Sequence, residues 1–291
     1  MNQPLPEELA AASGQWCASI ALDLQRRRGG TRLVGCEHEG PLYVQKPFYP
    51  EGPDCAHVYL LHPPGGMVSG DSLEVDIRLG EQARALLTTP GAARAYRARR
   101  CGTRQYQRTS LHLERQAGVE WFPLDTIVYD GAEVSIDTRV HLAGGAHCAL
   151  WEVTCLGLPA SGAPFRSGSC RQRYRVYHEG VPVFVEGFDL NDDNRERMAG
   201  AAALQAQPVY GFFLLGPLVA GDGAEVLARL REVVEADVAH QFSITRLGDY
   251  YVGRYLGDSA ERARAQFSHW WQLLRPALCG RPACPPRIWL T

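Results

Sequence analysis

The chain has 291 residues, of which 45% are hydrophobic, so it can bury a sizeable core in one large domain or two small ones. Its formal net charge of −2 excludes a general electrostatic attraction to nucleic acid or to acidic membranes. The longest apolar run, residues 209–220, is too short to span a bilayer and contains Pro217. The nine cysteines are scattered and form no CxxC pair, which is typical of free thiols in a reducing compartment.

The beginning of the chain is rich in proline and acidic residues. It lacks the basic start and apolar run of a signal peptide, so we expect a cytoplasmic protein whose residues 1–15 are flexible. Lys46 is the only lysine, and arginine supplies the other basic side chains. Because the arginine guanidinium group can form two parallel hydrogen bonds to one carboxylate, an arginine-rich surface suits protein interfaces.

Strand patterns dominate the first two thirds of the chain. Residues 72–79 and 133–142 alternate strictly between apolar and polar side chains, as a half-buried strand does. Turns marked by glycine or proline recur at short intervals, and no strand–helix–strand rhythm appears. We therefore predict a single domain, residues 1–291, with a mainly β fold of layered or coiled sheets. The predicted strands are residues 17–24, 42–48, 55–61, 72–79, 85–89, 109–114, 126–129, 133–142, 147–155, 171–178 and 181–188.

Helix patterns lie late in the chain, where two long helices are predicted. Residues 223–240 carry an apolar stripe. Residues 259–275 follow Asp258 as a candidate cap, and Pro276 is expected to end that helix. A shorter helix is predicted within residues 195–204, and residues 242–247 and 250–256 read as a hairpin. The segment 157–169, rich in glycine, proline and serine, is expected to be a surface loop.

The C-terminal helix carries an aromatic face that includes Trp270 and Trp271. So many aromatic side chains left exposed would promote aggregation. We therefore expect these two residues to belong either to the core or to a partner interface.

A crowded turn joins the predicted strands 55–61 and 72–79. It contains Pro63, Pro64, Gly65 and Gly66 after His62, and Gly70 follows. Prolines cannot donate backbone hydrogen bonds, and glycines reach backbone angles that other residues avoid. We assign the three glycines to backbone geometry rather than to ligand contact.

Candidate catalytic and metal-binding groups are sparse. His57 and His62 are five residues apart, so on a strand they would point to opposite faces and could not easily share a metal ion. Cys279 and Cys284 have the spacing of a chelating loop, but two thiols are too few for a closed site. The sequence contains no G-x-S-x-G, P-loop or HExxH motif. This pattern favours a binding or scaffolding role.

Four segments together resemble the family of the urease accessory protein UreD, which is called UreH in some bacteria. Any one of them is a weak signal, but their order and spacing are specific, and the resemblance runs from about Trp16 to Thr291. Arg94 departs from the family pattern, which usually has lysine there, and Leu124 and Asp125 stand where glutamine and glutamate are usual. The segments are residues 62–71 (HPPGGMVSGD), 87–97 (LTTPGAARAYR), 120–132 (EWFPLDTIVYDGA) and 285–291 (PPRIWLT), the last following 270–276 (WWQLLRP).

The resemblance implies a superhelical β structure and a role in assembling the nickel centre of urease. It implies partners, namely the urease apoprotein, UreF and the GTPase UreG, and it implies nickel in transit rather than a permanent cofactor. It does not imply an enzyme. Asp71, Glu120, Asp125 and Asp130 are our candidate residues for a nickel passage or an interface. Each could equally cap a turn or pair with an arginine.

Two other functions remain open at this point. A metal-dependent hydrolase on a β scaffold would use His57 or His62 together with Asp71. It would turn over a substrate as the isolated protein. A nickel-storage protein would bind the metal tightly without a partner, which the scattered ligands argue against.

Overall fold

A computed structural model describes residues 16–100, 102–218, 223–234 and 241–290. The expectation that residues 1–15 are flexible lies outside this part of the chain. The described residues form eighteen strands and three helices. The strands are β1 (Cys17–Arg27), β2 (Gly30–Glu39), β3 (Tyr43–Val44), β4 (Cys55–Leu61), β5 (Ser72–Leu79), β6 (Arg84–Thr88), β7 (Ala93–Ala95), β8 (Gln105–Leu113), β9 (Gly118–Phe122), β10 (Thr126–Val128), β11 (Glu133–Leu142), β12 (His147–Leu158), β13 (Ala163–Pro164), β14 (Ser169–His178), β15 (Val181–Leu190), β16 (Val209–Gly216), β17 (Gln241–Leu247) and β18 (Tyr250–Gly257). The helices are α1 (Arg195–Met198), α2 (Gly223–Glu232) and α3 (Ala260–Cys279).

The chain winds back and forth between two sheets, to which it contributes strands in turn. The first sheet has the order β15-β14-β11-β8-β5-β1-β2, and the main path of the second is β17-β18-β16-β12-β9-β6-β4-β3. Successive long strands between β4 and β14 fall alternately in the two sheets, and neighbours from successive coils pair in parallel. Antiparallel hairpins flank this coil at β1–β2 and β14–β15. The prediction of a mainly β, superhelical fold is confirmed.

Apolar side chains from both sheets meet in the space between them. Strand β11 is typical, because its alternate residues are buried and those between them are half-buried; the buried ones are Val134, Ile136, Thr138, Val140 and Leu142. This is the period-two alternation visible in the sequence. The facing strands β4, β9 and β12 contribute their own alternate side chains to the same core.

A second core lies on the outer face of the second sheet, under α3. Phe267, Trp270, Trp271 and Leu274 from the helix pack there with aromatic and aliphatic side chains of β9, β12 and β16. The predicted apolar face of the C-terminal helix is therefore correct. None of the helices in the described part of the chain is both long and apolar enough to cross a membrane.

The predicted ends of α3 were wrong. Ser259, rather than Asp258, is the N-terminal cap, and its side chain accepts a hydrogen bond from the backbone N–H of Arg262. Pro276 lies inside the helix, which continues to Cys279 and ends at Gly280 with a φ of 70°. A proline disfavours helical geometry at the residue before it, but buried ion pairs hold that residue, Arg275, in place.

Other element boundaries also differ from the predictions. Helix α2 has ten residues, and part of its predicted extension, residues 235–240, lies outside the described residues. Helix α1 has only four residues. Strand β2 was missed because half of its residues are exposed and the strand shows no regular alternation; it forms by pairing with β1. Segment 157–169 includes a 3-10 turn at Pro159–Ser161 and the two-residue strand β13.

Candidate functional site

The proline–glycine turn connects β4 of the second sheet to β5 of the first. Gly65 and Gly70 have φ angles of 72° and 88°, which favour glycine. Gly66 has a different constraint: a Cβ there would lie 2.5 Å from Cε2 of Tyr96 and 2.8 Å from the backbone oxygen of Arg94. The next residue, Met67, donates its N–H to that oxygen at 2.7 Å. The turn therefore packs directly against β7, which lies in the second resemblance segment.

Replacing Gly66 with valine is expected to lower the free energy of unfolding by about 1–3 kcal/mol, because the added atoms overlap a backbone oxygen that cannot move freely. Gly91 is the matched control, since a Cβ there would meet no heavy atom within 4 Å. Gly91→Val is expected to change stability by no more than about 0.5 kcal/mol. Urea unfolding followed by circular dichroism measures both, and equal effects would contradict the close-approach explanation.

Three of the four candidate carboxylates are held by separate sets of partners. Asp71 accepts hydrogen bonds from the backbone N–H groups of Val68 at 2.8 Å and Trp16 at 3.3 Å, so it caps the crowded turn. Asp125, after β9, forms an ion pair with Arg264 of α3. These contacts place the two carboxylates in different local structures.

Asp130 follows β10 and organises a loop. It accepts hydrogen bonds from the backbone N–H groups of Arg166 and Ser167 and pairs with Arg97 at 2.6 Å. Burial opposes ionisation, but these hydrogen bonds and the charge of Arg97 hold the pKa of Asp130 below its usual value. Its partners are not shared with Asp71 or Asp125.

The fourth candidate, Glu120, lies in a buried ion cluster beneath α3. Its carboxylate accepts from the indole Nε1 of Trp271 at 2.6 Å and from two nitrogens of Arg275 at 2.8 Å. Arg275 also donates to both oxygens of Glu51 at 2.8 Å, and Nε2 of His57 lies 2.8 Å from Glu51. One guanidinium therefore joins the loop before β4, strand β9 and the C-terminal helix.

The ion cluster is strongly coupled. Burial would raise the pKa of Glu51, but hydrogen bonds from His57 and Arg275 lower it to about 2. Burial alone would lower the pKa of Arg275, whereas its hydrogen bonds to Glu120 and Glu51 raise it. Only 1% of the Arg275 side chain is exposed, so water screens its charge little, and this one guanidinium pairs with both carboxylates.

Glu51, Cys55 and His57 form the one group of three candidate metal ligands found in the described part of the chain, with ligand atoms within 4.8 Å of one another. Both oxygens of Glu51 already bind Arg275. Burial, followed by the charges of Glu120 and Glu51, raises the pKa of the Cys55 thiol well above its ordinary value. A protonated thiol beside a guanidinium is poorly suited to a cation. The hydrolase hypothesis requires His57 or His62 together with Asp71. Neither His62 nor Asp71 belongs to this group.

A further buried carboxylate lies between the sheets and was not predicted. Glu152 of β12 accepts hydrogen bonds from Oγ1 of Thr138 at 2.6 Å, Nε2 of Gln172 at 3.1 Å and the indole of Trp121 at 3.3 Å. Burial raises its pKa, although these hydrogen bonds oppose the rise. An acidic residue inside the apolar run 147–158 was the signal that could have identified it.

Polar groups continue from Glu152 toward the surface. Burial and the charge of Glu152 raise the pKa of Tyr174, and burial and the charge of Glu186 raise that of Tyr210. The Tyr210 hydroxyl lies 3.4 Å from Glu186, which also binds Arg254 at 2.6 Å. Glu186, Tyr210 and Arg254 line an open cavity of about 610 Å³. The interior of the coil is therefore not uniformly apolar.

The candidate partner residues Trp270 and Trp271 are both 0% exposed. Trp270 donates its indole N–H to the backbone oxygen of Leu230 at 2.9 Å, and Trp271 donates to Glu120. This chain alone buries both side chains, as the core alternative predicts. Contact between them and a partner would require α3 to move.

These features define the class of protein: a scaffold of coiled β-sheet, with one ion cluster under its C-terminal helix and a carboxylate enclosed between its sheets. The model of the family described as UreD urease accessory protein matches residues 17–290. The chain belongs to this family.

Individual relatives agree across nearly the whole length. The chain is 38% identical over 293 residues to the urease accessory protein UreD of Marinomonas sp. (strain MWYL1), with 99% of this chain and 93% of the relative covered. It is 38% identical to that of Hahella chejuensis (strain KCTC 2396), covering 100% and 96%. It is 40% identical to UreD 2 of Brucella anthropi, covering 95% and 98%. The resemblance seen in the four sequence segments is confirmed.

Proposed function

We propose that this chain is a non-enzymatic, cytoplasmic urease maturation factor. It would bind the urease apoprotein and UreF, work with UreG, and assist the delivery of nickel into urease. Family membership and relatives named as urease accessory proteins support this function. Nickel is cargo in this proposal, so a tight permanent site is not required.

The position of Glu152 between the two sheets is the observation that supports a mechanism of nickel transfer. A divalent cation cannot cross an apolar core without oxygen ligands or water, because desolvating it is too costly. Glu152 supplies a carboxylate between the sheets, and Tyr174, Tyr210 and Glu186 extend polar surface toward an open cavity. Few, weak oxygen ligands favour transit, whereas a cage of thiols and imidazoles would retain the ion.

The four carboxylates predicted from the sequence have different roles in this proposal. Asp125 and Asp130 are paired with arginines near the surface, where a partner's charge could redirect the pairs. They fit an interface better than a passage. Asp71 and Glu120 hold a turn and the buried ion cluster, so their effect on nickel transfer would be indirect.

The proposal is tested by producing urease in cells with UreF, UreG and either this chain or its Glu152→Gln variant. Glutamine keeps the shape and can form hydrogen bonds but removes the ionisable oxygen. We expect the variant to co-purify with UreF and urease while the nickel content of urease falls by about tenfold or more. Asp137→Asn is the matched control, because Asp137 pairs with Arg139 and Arg175 away from Glu152 and its change should leave nickel unaltered.

Two results would contradict the proposal. Full nickel loading with Glu152→Gln would exclude this carboxylate from the route. Absence of any complex between the unaltered chain and urease or UreF would refute the scaffold itself. Turnover of a substrate by the purified chain would instead favour the hydrolase hypothesis.

A further inference from the structure

A cavity of about 580 Å³ lies at the edge where β4, β6 and β12 begin, beside the end of α3. Its size falls within the range of sites that hold small molecules. The walls are almost entirely polar, with Leu278 as the exception among the lining side chains of the described residues. Its charged and titratable lining consists of Arg26, Asp54, Arg84, His147 and Arg281.

The charge of this cavity is positive. Asp54 is the one acidic residue among the described lining residues, and it already pairs with Arg26 and, at 2.7 Å, with Arg281. Arg84 donates from Nη1 to the backbone oxygen of Cys279 at 3.1 Å, and no carboxylate in the described part of the chain pairs with it. Three guanidinium groups and one carboxylate leave a formal charge of +2 on the wall.

His147 lies in the same wall as a neutral group. Burial, followed by the charge of Arg84, lowers its pKa to about 4. At neutral pH its imidazole adds a hydrogen-bonding group without adding charge. The uncompensated charge therefore comes from the arginines, whose guanidinium groups are planar forks suited to oxyanions.

We propose that this cavity binds a small phosphate-bearing anion, with Arg84 and Arg281 as its main contacts. A phosphate group brings up to two negative charges, which match the formal charge of the wall, and the volume leaves room for more than one phosphate group. This inference is independent of nickel transfer, since it concerns a different region of the chain and a ligand of opposite charge.

The anion would also strengthen the attachment of α3. Arg84 contacts the carbonyl of Cys279, the last residue of the helix, and Nη1 of Arg281 contacts the carbonyl of Glu51 at 3.3 Å. A ligand that binds both guanidinium groups would therefore connect the end of α3, strand β6 and the loop before β4. Because it binds only the folded state, it should raise the melting temperature with increasing concentration.

Calorimetric titration of the purified full chain with pyrophosphate at low ionic strength tests the proposal. We expect saturable binding and a rise in melting temperature, and we expect Arg84→Gln and Arg281→Gln each to weaken binding by about tenfold or more. Arg78→Gln is the matched control, because Arg78 is an exposed arginine of the first sheet paired with Asp76, so the variant should bind like the unaltered chain. Circular dichroism without ligand verifies that each variant is folded.

Three outcomes would overturn the binding of pyrophosphate by this cavity. They are the absence of saturable pyrophosphate binding, unchanged binding in both cavity variants, and an equal loss in Arg78→Gln, which would indicate general charge attraction. Succinate serves as a carboxylate probe; if it binds as tightly as pyrophosphate, the preference for phosphate is refuted. None of these measurements involves urease, so failure here is distinguishable from failure of the maturation function.

Discussion

Replacing Arg275 with methionine is expected to lower the free energy of unfolding by about 3–5 kcal/mol, because it leaves two buried carboxylates without their shared positive charge. Methionine retains much of the side-chain volume, so the loss reports charge rather than a cavity. Among the described residues, Glu51 would keep His57 and the thiol of Cys55, and Glu120 would keep the indole N–H of Trp271. Urea unfolding at pH 7 measures the change.

Arg78→Met is the control for this measurement. Arg78 pairs with Asp76, but 71% of its side chain is exposed, so we expect a loss of about 1 kcal/mol or less. If Arg275→Met costs no more than this control, water or neighbouring groups already stabilise the buried carboxylates, and the ion cluster does not fasten α3.

Acid provides an independent check of the same cluster. The pKa of Glu51 is lowered to about 2 in the folded chain, from an ordinary value of 4.5. The ionised carboxylate therefore contributes fully to the free energy of unfolding above pH 4.5, and this contribution is lost as the pH falls toward 2. In Arg275→Met, Glu51 loses the hydrogen bonds and charge that oppose burial, so its pKa rises. The difference between the two proteins should therefore shrink as the pH is lowered from 7, and a constant difference would contradict the electrostatic explanation.

The sequence predicts the strands of this fold better than its ion pairs. Alternation along residues 133–142 predicts β11 because a strand buried on one face imposes that period. Arg275 and Glu51 are 224 positions apart, and only the coiling of the sheets brings them together. The sequence motifs drew attention to Glu120, but they could not identify Arg275 and Trp271 as its partners.

Pro276 and Glu152 show two further limits of the sequence. The local effect of proline predicts that α3 ends at Pro276. The helix instead continues to Cys279, because Arg275, the residue before the proline, is held by ion pairs with distant parts of the chain. The sequence shows Glu152 as an acidic residue within an apolar strand, a pattern that predicts a buried carboxylate. The cationic cavity had no such signal, since Arg26, Arg84 and Arg281 come from three distant segments.

The second large effect is expected at Trp270. Its indole is 0% exposed, stacks with Phe267 at a centroid distance of 5.7 Å and meets the edge of Phe242 at 6.3 Å. Gly253 makes room beneath it, because a Cβ there would lie 2.4 Å from Cζ3 of the indole. Trp270→Ala would remove this packing and leave the backbone oxygen of Leu230 without its indole donor.

We expect Trp270→Ala to cost about 3–5 kcal/mol and Trp270→Phe to cost less, since phenylalanine keeps an aromatic ring but not the N–H. Trp16→Ala is the control: that side chain is 56% exposed, and its loss should change stability by no more than about 0.5 kcal/mol. Urea unfolding followed by far-ultraviolet circular dichroism avoids dependence on tryptophan fluorescence.

The same variants separate the core from the partner interpretation of the aromatic face. If the tryptophans are core residues, co-purification with UreF should decline in Trp270→Ala only as far as folding does, and Trp270→Phe should retain it. If Trp270→Ala unfolds at the same urea concentration as the unaltered chain yet no longer co-purifies with UreF, the indole contacts the partner. In that case α3 must leave the sheet to bind, and the packing of Trp270 above Gly253 would belong only to the unbound state.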